Sequence, residues 1–266
     1  MKKKTIFTVL TIICIIGFWL FENFYTPATY TSPELKASAT EIPEDFFPSS
    51  TTGDVVHHNY YSLSYNEKHE QAEWVAYNLD KSQLTYDDRK RPYFIEDPKV
   101  KTKSADWKNY KGSGFDRGHL CPAGDRRFSE YAYNETFYTS NISPQNQEFN
   151  AGIWNDLEKQ VRYWCKKYNT VTVITGGVLE NNLRTIGDED VSVPNYFYKI
   201  IARKDGNKIK LIGFLFENKP RNTTLKAQVV SVDDIERRTQ IDFFKKLPDS
   251  LENMLESSVN TADWKF

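Results

Sequence analysis

Between positions 112 and 126 the chain reads Gly112-Ser113-Gly114-Phe115-Asp116-Arg117-Gly118-His119-Leu120-Cys121-Pro122-Ala123-Gly124-Asp125-Arg126. These 15 residues hold one imidazole, two carboxylates, two guanidiniums and four glycines. A packed core has no use for that mixture, because buried charge is costly unless paired. Glycine lets backbone turn tightly and approach a ligand. Arginine offers planar forks that match phosphate oxygens. Histidine titrates near 6.5, where a proton can be moved at neutral pH. The combination points to a site that holds a phosphate and transfers a proton.

A second block follows: Phe137-Tyr138-Thr139-Ser140-Asn141-Ile142-Ser143-Pro144-Gln145, then Asn150, Trp154, Leu157 and Glu158. Ile153, Trp154, Leu157, Val161 and Trp164 recur at three- and four-residue steps, the stripe of an amphipathic helix. Asn150 falls in its first turn. Glu158 lies about 80° further around the axis at 100° per residue, so both can address one side. By spacing alone Asn150 is equally a helix cap and a metal ligand. The other reading of Glu158 is a solvated carboxylate on a helix face.

The Asp116-Arg117-Gly118-His119 run with Pro122, followed by this second block, resembles the signature of the DNA/RNA non-specific endonucleases, the endonuclease G-like ββα-metal enzymes. Weaker similarity extends from about Tyr60 to about Phe216. The resemblance implies an α+β fold: a mixed or antiparallel sheet core flanked by helices, containing a ββα-metal (His-Me finger) motif. It implies that His119 is the general base and Asn150 the metal ligand, with Glu158 holding metal-bound water. Arg117 and Arg91 would steady the phosphate, with Arg89 as the alternative to Arg91. Asn141 would orient the phosphate, or else cap a turn. Asp116 would orient its neighbours, or else pair with Arg126 or Arg127. Together with Asp116, those two arginines are expected at the substrate. Mg²⁺ is the implied metal, with Mn²⁺ or Ca²⁺ as alternatives. DNA and RNA are the implied substrates, cut with little sequence preference to leave 5′-phosphate ends, and a homodimer is among the assemblies allowed. A Cys121–His119 zinc site is rejected, since no paired Cys/His spacing completes four ligands.

Net charge is −1, so the chain as a whole does not advertise a polyanion partner. Its distribution does: from Arg89 to Arg127 there are 11 Lys/Arg against five acids, around the histidine motif. Two other readings compete: a same-fold phosphodiesterase acting on a non-nucleic-acid substrate, and a non-catalytic nucleic-acid-binding module. The co-occurrence of His119, Arg117, Asn141, Asn150 and Glu158 argues against the second. His57, His58 and His69 lack such surroundings and read as structural.

Lys2, Lys3 and Lys4 precede 17 uncharged residues, Thr5 to Phe21. A basic start before an apolar run predicts export, as a signal anchor or signal peptide over 1–24. Thr26-Pro27-Ala28 is a poor cleavage site, which favours membrane anchoring facing the periplasm or exterior over secretion. Residues 25–55 read as a tether and 56–266 as the domain. Export would let Cys121 and Cys165 bridge, against the alternative of two free thiols. Strands are expected at 57–64, 73–79, 171–175, 196–202 and 209–216, the last two forming a hairpin, with a long loop over 80–111. Helical spacing runs over 232–244 and 247–255.

Overall fold

In the segment Glu73–Leu79, Trp74 and Ala76 alternate with Val75, Tyr77 and Leu79, and the computed structural model sends the two sets into different cores. The structure describes residues 3–24, 29–30 and 41–266. The strands are β1 (Val55–His57), β2 (Ser62–Asn66), β3 (Gln71–Asp80), β4 (Asp116–His119), β5 (Ile142–Gln145), β6 (Thr170–Gly177), β7 (Thr185–Ile186), β8 (Val191–Ser192), β9 (Tyr196–Asp205), β10 (Lys208–Glu217) and β11 (Val229–Val230). The helices are α1 (Lys3–Phe24), α2 (Glu130–Glu135), α3 (Gln147–Phe149), α4 (Asn155–Tyr168), α5 (Val232–Thr239) and α6 (Asp249–Glu256).

Seven strands form one antiparallel sheet in the order β1-β2-β3-β6-β9-β10-β11. Both faces are covered, which is why β3, β6 and β9 are buried along nearly their whole length. On one face Tyr77, Val173, Phe197 and Ile201 meet Trp154, Leu157, Val161 and Trp164. On the other, Trp74, Ile174, Tyr198 and Ile200 meet Val232, Ile235, Phe243 and Phe244 of the C-terminal region. Each large apolar side chain buried this way contributes roughly 1.5–3 kcal/mol. A third, aromatic cluster of Phe94, Tyr110, Tyr133, Phe137, Tyr138 and Ile142 lies under the two-stranded β4–β5 ladder. The sheet and its helices match the α+β expectation. The 196–216 hairpin forms with its turn at Asp205–Lys208.

Several boundaries differ from the sequence reading. The 232–244 helix stops at Thr239, because Gln240 takes a left-handed conformation at φ 60°. Part of the 25–55 tether belongs to the domain: Phe46 is 1% exposed and edge-on to Phe244. The Trp74 Nε1 donates to the Ser49 carbonyl at 2.7 Å, and the Thr51 amide donates to Glu73 at 2.9 Å. Polar composition hid this docking, since two aromatics, Phe46 and Phe47, and a few hydrogen bonds carry it. Thr26-Pro27-Ala28 and 31–40 lie outside the described residues. The three cysteines are free, with Cys121 and Cys165 buried, so the bridge does not form.

Candidate active site

β4 delivers the motif. It pairs antiparallel with β5, placing Gly118 opposite Ser143 and His119 opposite Ile142. A side chain at position 118 would put its Cβ 2.2 Å from the Gln145 Oε1, so glycine makes room for the Gln145 side chain to lie across β4. Alternation then sends Asp116 to one face, and Arg117 with His119 to the other.

On that second face His119 sits in an aromatic slot. Its ring lies 4.9 Å from Phe137, edge to face, and 5.6 Å from Phe94. The Arg117 guanidinium stacks 4.7 Å over Phe94, and Arg91 stacks 5.3 Å over the same ring. Phe94 and Phe137 were not singled out from sequence, yet they aim all three functional side chains. Burial first, then the charges of Arg91 and Arg117, push the imidazole down to about 3, so it stands neutral. Its Nε2 is sealed inside with no hydrogen-bond partner, which leaves Nδ1 as the nitrogen reachable from outside.

Asn150 enters from the adjacent helix, and its Nδ2 donates to the Asp116 carboxylate at 2.9 Å. Asp116 therefore does orient a neighbour, and that neighbour is the expected metal ligand rather than Arg126 or Arg127. With the amide nitrogen fixed, the Asn150 Oδ1 is the atom left for another partner. The helix is kinked here, between Asn150 and Trp154, where Gly152 leaves helical values (φ −95°, ψ −114°). The 100°-per-residue count from Asn150 to Glu158 therefore does not hold. Asn150 is also not the cap; Asn146 fills that place, accepting from the Glu148 and Phe149 amides.

Glu158 lies on α4 in a buried charge group. Its nearest cation is Arg162 at 4.0 Å, while Arg162 pairs more closely with Asp125 at 2.7 Å. Burial raises the Glu158 carboxyl to about 7, against the lowering pull of Lys199. Lys199 is fully buried, stacked 4.5 Å over Trp154, with its Nζ lacking a hydrogen-bond partner. It was missed in the sequence, although the alternation Phe197, Lys199, Ile201 put it in phase with core residues. Gln145 is likewise buried, with both amide atoms unpartnered.

Three expected site residues serve the scaffold instead. Asn141 is fully buried: its Oδ1 accepts from the Cys121 amide at 2.8 Å, and its Nδ2 donates to the Cys121 and Thr136 carbonyls. It pins the chain just after His119, and its amide is used up in doing so. Arg126 is 1% exposed, donating to the Tyr60 and Asn78 carbonyls while stacking on Tyr77. Buried guanidinium must be paired internally, so it does not meet substrate. Arg127 donates to the Asp87 carbonyl and stacks on Tyr133. Arg89 is tied to Asp87 and to the Arg127 carbonyl, which leaves Arg91 as the arginine beside His119.

The residues fit a hydrated hard cation. One neutral oxygen (Asn150), a half-buried carboxylate (Glu158) and an unpartnered buried amide (Gln145) suit an ion that keeps most of its waters. A surface cleft of about 710 Å³ between Asp106–Ser113 and Arg184–Glu189 is lined by none of these residues.

A family model described as DNA/RNA non-specific endonuclease matches residues 38–250. The zebrafish nuclease EXOG, mitochondrial, is 38% identical over 202 residues, 70% of this chain; the chain spans 59% of that relative's length. The mitochondrial nuclease of Saccharomyces cerevisiae is 30% identical over 272 residues, 91% of this chain and 82% of its own. Among solved structures, a crystal structure of the EndoG/EndoGI complex has a TM-score of 0.67 and 30% identity, covering 73% of this chain and 86% of that one. These relatives correct the exported, membrane-anchored or secreted placement expected from residues 1–24, because both named nucleases are mitochondrial. The physical reason is that an apolar helix after lysines carries no address. The 19-residue stretch Lys3–Phe21, with mean hydropathy 2.1, shows only that α1 is long and apolar enough to cross a membrane.

Proposed function

The chain belongs to the DNA/RNA non-specific endonuclease family, and from that premise we propose that it is a metal-dependent endonuclease. It hydrolyses phosphodiester bonds of DNA and RNA with little sequence preference, leaving 5′-phosphate ends. The observation that carries this reading is His119: neutral, with Nδ1 reachable, and flanked by two guanidiniums. Arg117 and Arg91 hold the scissile phosphate by charge-assisted bonds. A phosphate between them offsets the two positive charges that lower the imidazole, so binding itself raises the basicity of His119. The Nδ1 then takes a proton from a water in line with the leaving 3′-oxygen.

Asn150 would hold the metal through Oδ1, oriented by Asp116, while Glu158 and Gln145 hold water around it. When bound, a divalent cation supplies Lewis-acid stabilisation of charge on the phosphate. The small neutral donor set favours Mg²⁺. Recognition through the phosphate backbone accounts for low sequence preference.

The test is cleavage of plasmid DNA and of RNA by the full chain, with EDTA and with Mg²⁺ titrated back, for wild type and Asn150→Asp. The ligand role predicts an altered Mg²⁺ curve; melts run alongside set apart the loss of the Asn150 bond to Asp116, which the new carboxylate would face. Coinciding Mg²⁺ curves would exclude Asn150 as the ligand. Cleavage that persists in EDTA would remove the metal from the proposal.

A further inference from the structure

A second group of acids lies on the opposite face of the sheet from α4. Asp233 and Glu236 sit one turn apart on α5, and Glu256 ends α6. One carboxylate oxygen from each lies within 4.8 Å of the others. Glu256 is only 5% exposed, and its Oε1 has no hydrogen-bond partner. Glu236 accepts from the Phe243 amide at 2.9 Å, which fixes the turn leaving α5.

No lysine, arginine or histidine balances this charge. Among the described residues, none of Asp233, Glu236, Asp242, Glu252 and Glu256 makes an ion pair. The basic residues near them are engaged elsewhere: Arg237 with Asp234, Arg238 over Tyr196, and Lys246 with Glu44. Buried like charges persist only when something positive sits among them. A shared proton would join two oxygens and leave the third facing them unrelieved. A cation satisfies all three.

We propose that Asp233, Glu236 and Glu256 form a second metal site, for a hard divalent cation of the Ca²⁺ class, that clamps α6 to α5. Three carboxylates without nitrogen or sulfur donors select a hard ion over zinc or copper. Asp242 and Glu252 add negative potential around it. The site shares no residue with the Asn150 centre, and the apolar side chains beneath it belong to the other core. Its role is structural: the ion holds down the last helix, whose other anchors are the partly buried Leu251 and Leu255.

The experiment is a Ca²⁺ titration of the full-length protein in Mg²⁺-free buffer, by calorimetry and by thermal melts. Wild type, Glu256→Gln, Asp233→Asn and Asn150→Ala are compared. Binding at about 0.1–1 mM is expected. Ca²⁺ at a hundredfold excess over its Kd should raise the melting temperature by about 5–10 °C. That rise should survive Asn150→Ala and disappear in Glu256→Gln and Asp233→Asn, with Mg²⁺-supported cleavage kept in both. If Glu256→Gln does not fold, Asp233→Asn at the half-exposed ligand decides. A Ca²⁺ rise lost in Asn150→Ala but kept in the carboxylate variants overturns the proposal. So does no Ca²⁺ effect at all, or a melt that climbs in Glu256→Gln without cation, which would mark a cluster holding protons.

Discussion

Two histidines sit under neighbouring aromatic residues and are tuned in opposite directions. Phe137 packs on His119, and Tyr138, the next residue, stacks on His58 at 5.3 Å. Burial works to lower both pKa values. Around His119 the nearest charges are Arg91 and Arg117, which add to that lowering, and the ring falls to about 3. Around His58 they are carboxylates. Its Nε2 meets Asp97 at 2.7 Å and its Nδ1 faces Glu135 at 3.4 Å, an ion-pair contact rather than a hydrogen bond. Those two partners outweigh burial and raise His58. Burial alone therefore does not tell a working histidine from a structural one; the sign of the surrounding charge does. A ring held neutral among cations can take a proton, whereas a ring held charged among anions can only staple.

The largest contrast should appear on replacing each ring. His119→Ala should lower kcat by about 10²–10⁴-fold, the usual contribution of a general base, with DNA affinity little changed. His58→Gln should do the reverse. It leaves Asp97 and Glu135 buried without their cation, costing about 3–5 kcal/mol. That is roughly 6–20 °C in melting temperature for a domain of this size. Cleavage rates at low temperature should stay near wild type. Paired kinetics and melts on the two variants check this, and a His119→Ala enzyme with more than about a tenth of the wild-type rate would end the comparison.

Much of this division was legible in the sequence, for reasons that differ by residue. His119 stood out because Gly118 and Arg117 flank it, a local signature. The strand at 73–79 was legible in its period-two alternation, whereas the covering of both its faces, and so the two cores, needed the fold. The scaffolding roles of Asn141 and Arg126 were not legible. Both lie inside motif blocks, yet Asn141 binds Cys121 across 20 residues, and Arg126 binds Tyr60 and Asn78 across 66 and 48. The kink between Asn150 and Trp154 escaped too, since Gly152 inside a helical pattern signals weakness without saying how the chain bends. Arg91 and Phe94 reach His119 from a loop with no periodic pattern, so their effect on its basicity needed the fold.

A smaller, sign-specific difference lies in how stability depends on pH. His58 has a folded pKa above its unfolded value near 6.5, so its contribution is complete below that value. It is lost as pH climbs through the raised folded value. His119 has a depressed folded pKa, so its contribution is present above about 6.5 and lost as pH falls towards 3. Melts from pH 4 to 9 should show wild type weakening at both ends. His119→Ala should flatten the acid limb, and His58→Gln should flatten the alkaline limb. Parallel curves for all three proteins would mean that other groups set both limbs.

The finest test separates burial from charge at His119 itself. Burial is the larger cause of its lowering, with Arg91 second and Arg117 third. Arg91 is the one to remove, because it is exposed, stacks on Phe94 and Phe137, and makes no hydrogen bond among the described residues. Arg91→Gln should therefore leave the aromatic slot standing. With one positive charge gone, the imidazole should titrate higher than in wild type, yet still well below 6.5 because Phe94 and Phe137 continue to exclude water. NMR of the His119 ring protons across pH 3 to 8, without metal or nucleic acid, reads this directly. A return to 6.5 would mean that charge, not burial, sets the basicity. No movement would mean that Arg91 is screened by solvent, leaving Arg117 and the slot to hold the ring neutral. The predicted outcome lies between these limits, and phosphate binding would move the ring along the same axis by offsetting the same guanidinium charge.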